Sequence, residues 1–297
     1  MSEIIYRPPF WEPTSAVMDA VPHGEQIDWW ADAVGVADAW KQSEGEGITI
    51  AILDTGADLE HEDLRDNILD AVDFTNSPIG PLDHQSHGTH TAGCAGASGN
   101  TLGIRSPAPK CKLLIVKVLD DGGSGRGEWI AKGIRWALAK KADIISMSFG
   151  TPNLDPLIAG AIEDVIDDGR YPIAAAGNSG TRARRLDCPS SLPGVISVAA
   201  TGRDNRVAPF SSRARGIDFA APGVDILSTV PGNRYQRMSG TSMATPLLAG
   251  LCALILSAHR KKVDGGGTTG VGPPSPLLRC AERLNAHSPA RNGVAML

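Results

Sequence analysis

Between residues 48 and 201 the chain alternates short, almost wholly apolar runs with longer stretches whose apolar residues recur every three or four positions. Residues 48–53 are apolar at nearly every position and close on Asp54, the pattern of a strand buried on both faces. Residues 112–119, 143–150, 171–178 and 195–201 read as further strands. Ile130, Ile134, Ala137 and Leu138 give one apolar helix face, and residues 156–168 predict another helix. His87 opens Gly88-Thr89-His90-Thr91-Ala92-Gly93, small residues suited to a helix packed tightly against a neighbour. Leu247, Leu251, Leu254 and Ile255 recur at helical spacing behind the small-residue turn Gly240-Thr241-Ser242-Met243-Ala244-Thr245-Pro246. Ser242 therefore falls at or next to the start of a buried helix, with Pro246 in its first turn. The alternation predicts an α/β fold: a mostly parallel twisted sheet with helices on both faces. Ligands of such sheets bind at the carboxyl ends of the strands, where Asp54, Gly150 and Asn178 fall.

The ends differ from this pattern. Residues 1–20 are rich in Pro, Glu and aromatics without a period, and by default read as a loosely packed tail. Residues 261–276, with Gly265-Gly266-Gly267 and Pro273-Pro274, predict a flexible linker, and residues 277–287 a closing helix before the tail at 297. A chain of 297 residues is long enough for one α/β unit with a sizeable core, and 42% hydrophobic with 21% charged residues is ordinary for a globular protein. A net charge of −5 gives no reason to expect nucleic acid or an anionic membrane as partner. No run is read as long and apolar enough to span a bilayer. Five cysteines without C-x-x-C spacing indicate neither a disulfide framework nor a structural zinc site. With no basic and apolar leader at residues 1–10, a cytoplasmic protein is expected.

Chemistry concentrates in three places. A serine at a helix start has backbone N–H groups beside it that favour a developing oxyanion, but it needs a base and a group to orient that base. His87 and Asp54 are the candidates. Ser242 as a simple helix cap is the plain alternative. Asp54-Thr55-Gly56, His87 to Gly93 and Gly240 to Pro246 resemble, in order, the active-site signatures of the subtilisin family of serine proteases. The similarity continues through Lys117-Val118-Leu119, Gly123-Ser124-Gly125, Ser146-Met147-Ser148-Phe149-Gly150 and Ala174-Ala175-Ala176-Gly177-Asn178, over residues 21–260.

That resemblance implies a three-layer subtilisin-like fold and a serine endopeptidase that works through Asp54, His87 and Ser242, with Asn178 completing the oxyanion hole. Gly123, Ser124, Gly125, Ser148, Phe149 and Gly150 would hold an extended peptide between two backbone rails, with Ala176 and Gly177 beside it. Gly127 stands where many relatives carry a larger side chain, which points to a wider distal pocket. Asp187, before Cys188-Pro189, aligns with the base of the primary specificity pocket and would favour substrate Lys or Arg; a solvated aspartate paired with Arg182, Arg184 or Arg185 is the alternative. Calcium is implied through Asp63, Asn100, the backbone of Leu102 and Ile104, and Asp19 from the N-terminal arm, although Arg105 brings a positive charge nearby. Asp218 is a candidate for a weaker cation site.

Intracellular subtilisins carry a short N-terminal extension, with a Leu-Ile-Pro-Tyr motif, that blocks the active site, and Ile4-Ile5-Tyr6-Arg7-Pro8-Pro9-Phe10 is similar in character though not in order. These relatives also form dimers, so a homodimer is open. His84, His87 and His90 lack the H-E-x-x-H arrangement of a zinc protease. Asp54-Thr55-Gly56 also matches an aspartic-protease loop, but no second such loop occurs. A catalytically silent peptide binder and a peptidyl transferase share the same residues and stay as rivals to a protease acting on protein or peptide substrates.

Overall fold

The computed structural model describes residues 4–9, 12–19, 24–264 and 295–296. Its strands are β1 (Ile5–Tyr6), β2 (Glu12–Pro13), β3 (Thr49–Asp54), β4 (Ile68–Asp73), β5 (Lys112–Lys117), β6 (Gly125–Arg126), β7 (Ile144–Met147), β8 (Tyr171–Ala175), β9 (Ile196–Thr201), β10 (Phe219–Pro222), β11 (Ile226–Val230), β12 (Arg234–Ser239) and β13 (Ala295–Met296). The helices are α1 (Trp30–Val34), α2 (Val36–Trp40), α3 (His87–Gly96), α4 (Gly127–Ala139), α5 (Pro156–Asp167) and α6 (Thr241–Asp264).

The main sheet has the order β13-β10-β9-β8-β7-β3-β5-β4 and its strands pair in parallel. β3 is central: Ile50 lies opposite Leu113 on β5 and Ile144 on β7. Successive side chains of a strand point to opposite faces, and here both faces are covered. Ile50, Ile52, Leu113 and Ile115 pack with Ala92 and Ala95 of α3 and Leu248 and Cys252 of α6. Ala51, Leu53, Leu114 and Val116 pack with Ile130 and Ile134 of α4 and Ile158 and Ile162 of α5. The predicted three-layer α/β architecture is thus present.

A third cluster, including Trp30, Val36, Ile226 and Met238, closes over Met243, Leu247, Leu251 and Leu254 on the outer side of α6. That covering corrects one expectation from the sequence. Thr241–Lys261, at a mean hydropathy of 1.7, is long and apolar enough to cross a membrane, yet 89% of that apolar window is buried inside the fold. A helix apolar all round is here the core helix of a globular domain.

The same helix begins earlier than its apolar period suggests, so Pro246 lies inside it and not in its first turn. Proline has no N–H to offer the carbonyl four residues back. That carbonyl is Ser242 O, and the Ser148 hydroxyl donates to it at 2.9 Å. At its far end α6 continues to Asp264, past Arg260, where the linker was expected to begin. The glycine and proline runs, the expected closing helix and Cys280 lie outside the described residues. Cys94, Cys111, Cys188 and Cys252 are buried.

The small residues of α3 serve close packing. Ser228 Oγ donates to His90 O at 2.8 Å and Thr229 Oγ1 to Thr89 O at 2.7 Å, which brings β11 hard against the helix. A Cβ added at Gly93 would stand 2.3 Å from Thr229 Oγ1 and 2.4 Å from Ser228 Oγ. At an exposed helix position Gly→Ala gains about 1 kcal/mol. Gly93→Ala should instead lower the midpoint of chemical unfolding; an unchanged or higher midpoint would show that this contact does not require glycine.

Candidate active site

Asp54 ends β3, His87 opens α3 and Ser242 is the second residue of α6, so packing of the core delivers all of them to the carboxyl edge of the sheet. The Asp54 carboxylate accepts from His87 Nδ1 at 2.7 Å and Thr55 N at 2.8 Å through Oδ1, and from Thr91 Oγ1 at 3.3 Å through Oδ2. With Nδ1 donating to Asp54, Nε2 is the basic nitrogen of the neutral ring. Asn178 follows β8, and its Oδ1 accepts from Thr241 N at 3.0 Å and Thr241 Oγ1 at 2.8 Å. Two donors on one atom fix the amide's orientation and turn its NH₂ to the opposite side. The Ser242 hydroxyl donates to Ser148 O at 3.3 Å.

Two buried ionisable residues brace this arrangement: Lys117 falls within the Lys117-Val118-Leu119 motif, whereas Asp83, between predicted elements, carried no signal and reads as solvated. Asp83 accepts from Thr55 Oγ1 at 2.9 Å and from Thr89 N and Oγ1 at 2.8 and 2.6 Å, tying the turn after Asp54 to the helix that carries His87. Burial pushes its carboxyl pKa up, and these donors oppose the rise. Lys117 is wholly buried, donates to Thr55 O at 2.6 Å and Leu82 O at 2.9 Å, and pairs with Asp121. The three nearby histidines do not converge. His90 Nε2 lies 3.2 and 3.1 Å from the carbonyls of Ile226 and Gln236, its pKa pulled down to about 3 by burial, while His84 is exposed.

Of the residues expected to form two rails, Gly125 and Gly150 flank an extended strand, and that strand belongs to the chain itself. Ile5 lies opposite Arg126 and Tyr6 opposite Gly125, antiparallel. Arg7 N donates to Gly150 O at 3.3 Å and Gly150 N to Arg7 O at 2.9 Å. Continued by two residues, this register sets Pro9 opposite Ser148. Tyr6 is wholly buried, edge-to-face on Phe149 with ring centroids 6.0 Å apart. Further along, Glu12 and Pro13 pair with Ser239 and Met238 on β12. For the described residues this replaces the loosely packed tail expected by default. Gly123 and Ser124 form a turn closed on Asp120, whose carboxylate accepts from Ser124 N at 2.9 Å.

Ala176 is buried and Gly177 takes φ 95°, its carbonyl accepting from Ser212 N at 2.9 Å. Asp187 Oδ2 stands 3.8 Å from the Cβ positions of both Gly150 and Gly177, on the floor between the two backbone segments. No arginine reaches ion-pair distance of it among the described residues. Burial raises the Asp187 pKa, and the nearby Arg185 partly offsets this. Asp218 Oδ2 accepts from Ser197 N and Ser197 Oγ, both at 2.9 Å.

Around the expected cation loop, Asp63 Oδ2 accepts from Ile104 N at 2.8 Å and from Tyr235 OH at 3.0 Å, while its Oδ1 is buried without a hydrogen-bond partner among the described residues. Asn100 Nδ2 donates to Glu62 O at 3.0 Å and its Oδ1 accepts from Leu102 N at 3.1 Å. The N-terminal arm meets this loop through Glu25, which accepts from Thr101 N, and Gln26, which bridges to Ile104. Asp19, the expected contributor from the arm, is exposed. Arg105 is drawn away from the loop by ion pairs to Glu25 and Glu44 and lies over the Trp40 ring at 4.3 Å.

Residues 45–269 match the sequence profile described as the Subtilase family. The chain is 43% identical over 223 residues to the intracellular serine protease of Paenibacillus polymyxa, a match covering 73% of this chain and 68% of that protein. It is 40% identical over 225 residues to the major intracellular serine protease of Bacillus subtilis (strain 168), covering 73% and 70%. With subtilisin E of the same strain it shares 41% identity over 218 residues, 72% of this chain but 57% of that protein. The chain belongs to the subtilase family and is a subtilisin-like serine protease.

Proposed function

We propose that the chain is an endopeptidase in which Ser242 attacks the peptide carbonyl, His87 Nε2 takes the serine proton and passes it to the leaving amine, and Asp54 holds the ring. Water then repeats the sequence on the acyl-enzyme. The observation that carries this is the buried Asp54–His87 bond of 2.7 Å beside a serine at a helix start. Ser242 N–H and the Asn178 NH₂ would hold the oxyanion. Two relatives have "intracellular" in their names, which supports a cytoplasmic location.

Residues 4–9 are proposed to block the groove in the parent chain. Pro9, set opposite Ser148, has no N–H to give that residue's carbonyl, and the Ser242 hydroxyl donates there instead. A substrate with an N–H at that position would compete for Ser148 O and return the serine proton to His87. Hydrolysis of a fluorogenic peptide and labelling by a fluorophosphonate test both ideas on the full chain. Tyr6→Ala removes a side chain whose burial contributes roughly 1.5–3 kcal/mol, so it should raise turnover about tenfold or more. Ser242→Ala should neither hydrolyse nor label while keeping its thermal midpoint. Turnover by Ser242→Ala equal to the parent would end the assignment, and silence of every form without labelling would favour a peptide-binding module.

Asp187 is proposed to favour Lys or Arg immediately before the cut, since its carboxylate lies between Gly150 and Gly177 with no arginine at ion-pair distance among the described residues. A charge-assisted contact of about 1.5–3 kcal/mol gives roughly ten- to hundredfold selectivity. That selectivity should disappear in Asp187→Gly. Because the carboxyl pKa is raised, protonation should erode the preference at a higher pH than for an ordinary aspartate. Peptides varying only at this residue, assayed across pH, would show a preference for large apolar residues if Asp187 plays no part.

Calcium fits the loop after α3: Asp63, Asn100 and the carbonyls of Leu102 and Ile104 are a hard-oxygen set, and the unpartnered Asp63 Oδ1 calls for a positive partner. When bound, the ion would supply charge to a buried carboxylate. Chelator should lower the thermal midpoint of the parent and leave Asp63→Asn unchanged; equal shifts in both would remove Asp63 from the site.

A further inference from the structure

The side chain seated deepest in the groove is amphipathic, and its polar end is met by groups that an apolar pocket has no use for. Tyr6 OH donates to Cys188 Sγ at 3.7 Å. Burial, with Cys188 and the nearby Asp155 adding to it, raises the phenol's pKa, so it keeps its proton. Asp155 is itself only 5% exposed. Its Oδ1 accepts from Leu157 N at 2.9 Å and caps α5, while Oδ2 occupies the space over Gly127, where an added Cβ would lie 1.9 Å away. The room left by Gly127 is therefore not an open, wider pocket, as the sequence suggested. It is filled by a carboxylate.

Tyr6 stands in for the side chain of a bound peptide. With Pro9 opposite Ser148, whose carbonyl holds the nucleophile's hydroxyl, Tyr6 is the fourth residue before the bond that Ser242 would attack. We propose that Gly127, Phe149, Asp155 and Cys188 form a tyrosine-selective pocket, so that preferred substrates carry tyrosine four residues before the cut and Tyr6 is the chain's own copy of that recognition element. This rests on the groove being a protease's substrate channel. Phenylalanine fills the same volume on Phe149 but brings no hydroxyl to Cys188 Sγ and the carboxylate beside it, a loss of about tenfold.

Two experiments on the full chain separate this pocket from the protease reading. In Ser242→Ala, which cannot cut itself, exchange of the Arg7 and Gly150 amide hydrogens reports opening of the segment. Tyr6→Phe should speed that exchange about tenfold, and the gain should shrink to near nothing when Asp155→Asn and Cys188→Ala are also present. An equal gain in both backgrounds, or none in either, would overturn the pocket whatever the enzyme does. In the second experiment the groove is vacated by Tyr6→Ala, and kcat/KM is compared for peptides differing only by Tyr or Phe at the fourth position. Tyrosine should lead about tenfold, and Gly127→Ala, which displaces the Asp155 carboxylate, should bring the ratio to one. A ratio of one before that change would overturn the proposal. A chain that neither hydrolyses any peptide nor labels with fluorophosphonate would instead overturn the protease reading, leaving the exchange result to judge the pocket.

Discussion

Burial of β3 on both faces is the constraint from which the rest follows. A strand with Ile50 and Ile52 on one side and Ala51 and Leu53 on the other has no solvated face, so each side needs its own helix layer. Parallel neighbours then require crossovers, and every crossover returns the chain to the same edge. β5 and β7 flank β3 on opposite sides, so the chain reverses its direction of travel across the sheet there. Asp54, the segment after β7 and the segment after β8 meet at that crevice, where an open α/β sheet has room for a ligand. The site is thus a by-product of how the core is covered.

Pro246 shows how a local defect couples site and core. Its missing N–H leaves Ser242 O open in the first turn of a buried helix, where an unpaired carbonyl would be costly. Ser148 supplies the donor through its side chain, while its own backbone carbonyl takes the Ser242 hydroxyl. The two serines are therefore joined by reciprocal bonds. Any shift of the segment after β7 would move Ser242, which ties the geometry of that backbone to that of the serine.

What the sequence made legible was what repeats or clusters. The strands at β3, β5, β7, β8 and β9 and the helices α4 and α5 carry long apolar patterns, and their spans differ from expectation by only a few residues. α1 and α2 have only five residues each, β4 is an edge strand without a buried residue, and the β11–β12 pair is buried through partners distant in sequence, so no window reveals them. Ser228 and Thr229 are buried and polar because α3 offers them carbonyls, a match invisible along the chain. Asp54, His87, Ser242 and Asn178 were visible as motifs; Lys117 and Thr241 lay within motifs but their bracing contacts did not show, and Asp83 carried no signal at all. The arm meets the loop proposed for a cation through Glu25 and Gln26, because the backbone of residues 24–26 runs beside that loop and Asp19 does not.

The N-terminal segment owes its place in the groove to connectivity as much as to contact. Between Arg7 and Gly150 it makes a reciprocal pair of backbone bonds, it buries Tyr6, and at Pro8 and Pro9 it forgoes donors that a substrate backbone would bring. Taken as a free peptide, so few contacts would bind weakly, since association must first offset lost translational and rotational freedom. Tethered and held again at β12 through Glu12 and Pro13, the segment meets the groove at an effective concentration of roughly millimolar order. On the proposed reading, a weak ligand at that local concentration excludes dilute substrate, and the prolines that weaken it also withhold the N–H that would compete for Ser148 O. Low intrinsic affinity and the proposed blocking are therefore compatible: the first leaves the groove releasable, and the second lasts as long as the segment remains attached.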